Sequence, residues 1–189
     1  PSIIYNIFNN VFNISNFILR VNNRKLLEGL FMDNGLTDVT IIKRAVKIID
    51  DIEKVDRSLT ISRLQEIGME EEIANKLLVL FKTIFEMEGD LAIKYLMEQN
   101  FKGSLILEGI EELDKVVNGI IANGVPKTHF RVDLCIARGL DYYTGTVYET
   151  ILIDHPELGS VCSGGRYNGL VGTLTGNKRD VYPGVGISI

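Results

Sequence analysis

From Leu36 to Asn123, roughly ninety residues, no segment alternates as a strand does, whereas the chain on either side does. Within that stretch the apolar residues recur at helical spacing. Ile41, Ala45, Ile48, Ile49 and Ile52 form one stripe, and Ile73, Leu77, Leu80, Phe81 and Ile84 a second. Ile110, Leu113, Val116, Val117, Ile120 and Ile121 form a third, which Asn123-Gly124 ends, and a shorter helix is expected over Asp90–Gln99. Before it, Phe12, Ile14, Phe17, Leu19 and Val21 read as β-like. After it, Phe130, Val132, Leu134 and Ile136 alternate with Arg131, Asp133 and Cys135, the period of a half-buried strand. The fold class this implies is α+β: an antiparallel sheet flanked by helices and interrupted by an α-helical insertion, with segments 1–35, 36–124 and 125–189.

The first segment opens with Ile3, Ile4, Ile7 and Phe8 on one side of a helix. Its strand passes to a second helix through Asn22-Asn23, an N-cap pair, followed by Leu26, Leu27, Leu30 and Phe31 and closed by Asn34-Gly35. In the third segment Thr146–Asp154 is rich in β-branched residues, a short helix is expected near Tyr167–Leu174, and Pro183–Ile189 reads as a glycine-led strand. No apolar run approaches the roughly 18 residues of a membrane span. A soluble protein of the reducing cytoplasm is expected, without membrane partners, since Cys135 and Cys162 are too few for a disulfide framework. With His129 and His155 they match no metal-ligand spacing, so neither a metal site nor a permanently bound cofactor is expected. The formal charge of −5, and 17 acidic against 11 basic side chains within 36–124, exclude broad electrostatic binding of nucleic acid, and no basic stripe is obvious there.

Three segments could carry chemistry. Arg138-Gly139-Leu140-Asp141-Tyr142-Tyr143-Thr144-Gly145 follows directly on a buried strand. A guanidinium there suits an oxyanion or a transferring phosphoryl group, and a tyrosine pair offers flat walls with polar tips. By spacing alone it reads equally as a decorated turn with Arg138 paired to an acid. In Ser163-Gly164-Gly165-Arg166-Tyr167-Asn168-Gly169 the paired glycines permit close backbone approach, and Tyr167 could complete an aromatic pocket; alone, a tight turn entering a helix is the simpler reading. No Gly-Lys-Ser/Thr follows, so it is not a P-loop. The third segment is Pro183-Gly184-Val185-Gly186-Ile187-Ser188-Ile189.

Together these segments resemble one family. Arg138–Glu149 is similar to the histidine-specific signature of histidyl-tRNA synthetases, and Ser163–Tyr167 to their second such signature. Pro183–Ile189 resembles the opening of class II motif 3, and Phe17–Leu30 the stretch after motif 2. The resemblance implies ATP-dependent activation of L-histidine to histidyl-adenylate, then transfer to the histidine tRNA, with ATP and its Mg²⁺ as substrate and a homodimeric parent. It implies that Arg138 contacts the histidine carboxylate and the α-phosphate as the catalytic charge. Tyr142, Tyr143 and Tyr167 would line the histidine pocket, with Gly139, Gly164, Gly165, Gly184 and Gly186 as supporting backbone positions. The family's insertion contacts the tRNA acceptor stem. Motifs 1 and 2, the motif 3 arginine and the anticodon-binding domain find no counterpart within residues 1–189, so this piece is expected to be inactive alone. Asn168 and Ser163 stand where the family usually has aspartate and alanine. Non-catalytic paralogues, one regulating histidine biosynthesis and one sensing uncharged tRNA, tend to lose the arginine or the tyrosine pair; both are present here.

Overall fold

A computed structural model describes residues 1–137, 142–177 and 179–188. Helix α1 (Ser2–Asn6) runs into a π-helical turn over Ile7–Val11. Strand β1 (Phe17–Asn23) and α2 (Arg24–Asp33) follow. Next come α3 (Val39–Asp50), α4 (Arg57–Glu66), α5 (Glu71–Glu86), α6 (Gly89–Glu98) and α7 (Ser104–Ala122). The chain closes with β2 (Phe130–Val132), β3 (Tyr143–Leu152), β4 (Ser160–Tyr167), α8 (Leu170–Thr175) and β5 (Gly184–Ser188).

Among the described residues the strands form one sheet in the order β2-β1-β3-β4-β5. Its pairings are antiparallel except β1 with β2, which the long helical excursion makes parallel. On one face α2 and α7 pack on β1 and β3. Gly109 lets these two helices approach closely, since a Cβ there would lie 2.8 Å from the Leu26 Cα. The Asn23 side chain accepts a hydrogen bond from the Lys25 amide (2.9 Å) and caps α2, then donates to Glu112 of α7 (2.7 Å). The Lys25 ammonium joins the same Glu112 carboxylate at 2.7 Å. The last helix of the 36–124 stretch therefore lies on the sheet, and a single apolar core runs from Phe17 and Leu19 through Phe31 to Phe81 and Phe130.

Several expected stripes are turned. In α3 the buried residues are Ile42, Ala45, Val46 and Ile49, while Ile41, Ile48 and Ile52 sit half-buried. Helix α3 packs on both α2 and α4, and two partners draw in a wider arc than one stripe. Val116 and Ile121 of α7 and Ile73 and Leu80 of α5 are likewise half-buried edges. At the start, Ile4 and Phe8, four residues apart, are buried on one face, and Ile3, one position off it, is exposed. The β-like run from Phe12 begins as a strand only at Phe17. The amides of Phe12 and Ile14 are bonded to the carbonyls of Ile7 and Phe8, and Asn13 takes a left-handed φ of 55°.

The strand expected through Ile136 stops at Val132. The apolar alternation nevertheless persists in burial, with Leu134 and Ile136 inside. Asp133 is buried too, against the alternation. Its carboxylate accepts from the Cys135 amide (2.9 Å) and pairs with Arg20 of β1, so side chains replace the ladder. None of the described helices is long and apolar enough to cross a membrane.

Candidate active site

Strand registry sorts the side chains of the sheet onto its two faces. Asn22, Val147, Gly165 and Gly186 stand opposite one another across β1, β3, β4 and β5, and Tyr143, Tyr167 and Gly184 do so further along. Between Tyr143 and Val147, β3 advances four residues while β4 advances two, from Tyr167 to Gly165. Both steps are even, so Tyr143 and Val147 keep a common face, and the resulting bulge brings Tyr143 opposite Tyr167. There Ile136, Tyr143 and Val147 form a small apolar cluster distinct from the main core, and Tyr142 and Tyr167 pack against it.

The three tyrosines are thus in contact. The rings of Tyr142 and Tyr143 are 4.5 Å apart and tilted by 53°, and that of Tyr167 meets Tyr142 edge-on at 6.3 Å. The Tyr142 hydroxyl donates to that of Tyr143 at 3.5 Å. Glycine makes room for these rings: a Cβ on Gly165 would lie 2.7 Å from the Tyr143 ring, and one on Gly184 would lie 2.5 Å from that of Tyr167. The Tyr143 hydroxyl lies over Gly186. Gly164 serves the other face, leaving space for Tyr148, whose hydroxyl donates to the Gly186 carbonyl and ties β3 to β5. Burial, with Cys162 and Tyr143 nearby, pushes the Tyr148 pKa up and keeps it a donor. Arg138 and Gly139 lie outside the described residues.

The segment Asp133–Ala137, which leads to Arg138, crosses this same face. The Asn22 amide donates to the carbonyls of Ile136 (2.9 Å) and Leu134 (3.3 Å). Arg20, buried on β1, pairs with Asp133 and holds Glu53 through two bonds of 2.7 and 3.1 Å, with its guanidinium 5.7 Å from the Phe85 ring centre. Burial alone would lower its pKa, but Asp133 and Glu53 outweigh that and hold it above its ordinary value. Sequence reasoning missed this set. Asn22 looked like half of a cap pair and Asp133 like a solvated strand residue, and no local pattern links positions 113 residues apart.

Elsewhere the described residues form concavities, of which two are lined by charged side chains from two elements. One of about 270 Å³ lies on the helix-covered face between Glu112, Lys115 and Val116 of α7 and Thr146, Tyr148 and Arg166 of the sheet. Another of about 280 Å³ lies between α3 and α4, where Arg44, Lys47 and Arg63 converge with Asp51 and Glu66. This local basic cluster was hidden by the acidic balance of the stretch, because its members are neighbours only once α3 and α4 pack. Among the described residues no group of three His, Cys, Asp or Glu side chains could hold a metal ion.

The family model described as "Histidyl-tRNA synthetase" matches residues 8–189. A histidine–tRNA ligase of Clostridium tetani is 44% identical over 189 residues, which are 100% of this chain and 41% of that protein. The crystal structure of histidyl-tRNA synthetase from Nostoc sp. PCC 7120 superposes with a TM-score of 0.90 at 42% identity, covering 100% of this chain and 43% of that one. An ATP phosphoribosyltransferase regulatory subunit/histidyl-tRNA synthetase from Bacillus halodurans C shares the fold, with a TM-score of 0.76 at 17% identity over 98% of this chain and 45% of that one. The chain spans about 40% of the length of the curated relatives it matches.

Proposed function

Since the chain belongs to the histidyl-tRNA synthetase family, we propose that the protein it forms part of is a histidine–tRNA ligase, and that the face bearing Tyr142, Tyr143 and Tyr167 is its histidine pocket. The observation that carries this is the tyrosine cluster on its glycine floor, set on the face that the segment leading to Arg138 crosses. Three rings offer flat apolar faces suited to a small flat ligand, with hydroxyls to address its ring nitrogens. A substrate lacking those nitrogens leaves buried hydroxyls unpaired, which is how such a site rejects other amino acids.

In the first step a histidine carboxylate oxygen attacks the α-phosphorus of ATP. The bond to the bridging oxygen breaks, and pyrophosphate leaves with its Mg²⁺. Negative charge grows on the oxygens of the five-coordinate phosphorus, and Arg138 stabilises it. In the second step a hydroxyl of the terminal tRNA adenosine attacks the histidyl carbonyl and releases AMP. The parent acts as a homodimer, and segments 1–35 and 125–189 belong to its catalytic domain. Segment 36–124 is the insertion, anchored to the sheet by α7.

The test is ATP–pyrophosphate exchange by the full-length protein with each amino acid in turn. Exchange that requires histidine is expected. A folded protein that exchanges with none would overturn the ligase in favour of a regulatory paralogue.

The cationic groove of Arg44, Lys47 and Arg63 is the proposed acceptor-stem contact of the insertion, through phosphates. Lys47→Ala with Arg63→Ala should raise the KM for tRNA several-fold and flatten the salt dependence of tRNA binding, by about one in log–log slope for each phosphate no longer neutralised. An unchanged slope would remove the groove from the interface.

A further inference from the structure

The residues just before Arg138 are held by partners from two distant parts of the chain. Strand β1 supplies the Val21 carbonyl to the Asp133 amide (2.9 Å), Arg20 to the Asp133 carboxylate, and the Asn22 amide to the Leu134 and Ile136 carbonyls. A further tie comes from the helical stretch: the Ala137 amide donates to Asp50 Oδ1 at 3.2 Å, across 87 positions of sequence. Asp50 is the last residue of α3, and Glu53, in the 3₁₀ turn that follows, grips Arg20.

The placing of Asp50 is unusual for a residue with only a local role. A carboxylate in the last turn of a helix faces the negative end of the macrodipole and is disfavoured there. Asp50 nonetheless stands there and accepts a hydrogen bond from the last described peptide N–H before Arg138–Asp141. On the other side of residues 138–141, Tyr142 and Tyr143 are held in the ring cluster. A guanidinium on a long side chain reaches a reacting phosphorus correctly only if its backbone is placed correctly, and a displacement of about 1 Å costs up to a hundredfold in rate.

We propose that Asp50 is a positioning residue for Arg138. By holding the Ala137 amide it sets the backbone from which the catalytic charge projects, and so makes the helical insertion part of the activation site. The proposal rests on the ligase reading above. Lys47, in the tRNA groove, lies three residues earlier on α3, so the same helix carries the groove at its side and the Ala137 contact at its end.

The test compares Asp50→Ala and Asp50→Asn in the full-length protein by histidine-dependent ATP–pyrophosphate exchange, with kcat referred to folded protein. Asp50→Ala is expected to lower kcat by about 10- to 100-fold, with the KM for histidine and the thermal midpoint little changed. Asp50→Asn should restore most of the rate, because its carboxamide oxygen still accepts from the Ala137 amide. Wild-type kcat in Asp50→Ala overturns the proposal. So does equal impairment of both variants, since charge rather than the hydrogen bond would then matter. A wild-type protein without exchange removes the ligase reading itself, and the positioning role falls with it.

Discussion

In the full-length protein, Arg138→Ala is expected to lower histidine-dependent ATP–pyrophosphate exchange by at least about 10²–10³-fold, the usual cost of deleting one fixed donor to a developing oxyanion. Adenylate formation moves no proton that a side chain must carry. Its barrier is the crowding of negative charge as a carboxylate approaches a phosphate, so a permanent, multidentate cation is the group whose loss costs most. The effect should fall on kcat and kcat/KM together, because in the proposed mechanism the guanidinium binds the transition state more tightly than either substrate. Arg138→Lys should recover little. An ammonium is a point charge and cannot bridge the carboxylate and α-phosphate oxygens at once. Exchange within about threefold of wild type in Arg138→Ala would assign the catalytic charge elsewhere. Arg138 lies outside the described residues, so this expectation stands on the signature Arg138–Glu149 and on the anchored residues either side of it.

The second large effect is on stability. Asp133→Ala should destabilise the protein by about 3–5 kcal/mol, because it strips a buried guanidinium of its buried partner. Arg20 is 5% exposed and Asp133 2%, and their pair is tied on one side to the Cys135 amide and on the other to Glu53. Glu53 is largely exposed and cannot replace the lost carboxylate in the interior. Urea unfolding read by circular dichroism is the measurement, with the first transition moving to clearly lower urea. Replacing both ends by apolar residues, Arg20→Met with Asp133→Leu, should recover much of the loss, since no charge is then left buried. A single variant as stable as wild type would mean that water reaches Arg20 and that the pair is not the anchor described.

How much of this could be read beforehand varies by element. Helix α2 was legible from end to end, since its cap Asn23, its buried face Leu26, Leu27, Leu30 and Phe31, and its terminator Gly35 are local chemistry. Helices α5 and α6 were legible in extent and α7 only from Ile110 to its end, its first turns from Ser104 going unread, and the buried faces of α5 and α7 are rotated from the expected stripes. Helix α4 left only a weak stripe, with Thr60 and Leu64 buried. The tyrosines and glycines of the site stood out because side chains so unusual in combination cluster in short segments. That Tyr142, Tyr143 and Tyr167 touch one another needed the bulge in β3 and the β3–β4 register.

The residues alone decide what each short stretch prefers: a 3.6- or 2-residue period, a cap, a turn, a place where only glycine fits. Those preferences are local, acting over a few bonds, so the α+β class follows from them, whereas the candidate pocket residues are what the resemblance of Arg138–Glu149 and Ser163–Tyr167 to the family's signatures implies. Partnerships between distant residues are not local. Asp133 with Arg20, Asn22 with the carbonyls of Leu134 and Ile136, and Asp50 with the Ala137 amide are chosen by which surfaces pack once the helical stretch folds back on the sheet. A buried polar group takes whatever partner the packing brings within about 3 Å, because leaving it without one costs more than any local preference provides. The tertiary structure therefore decided which buried charges pair, which backbone groups the side chains satisfy, and how the helical stretch is bound to the site.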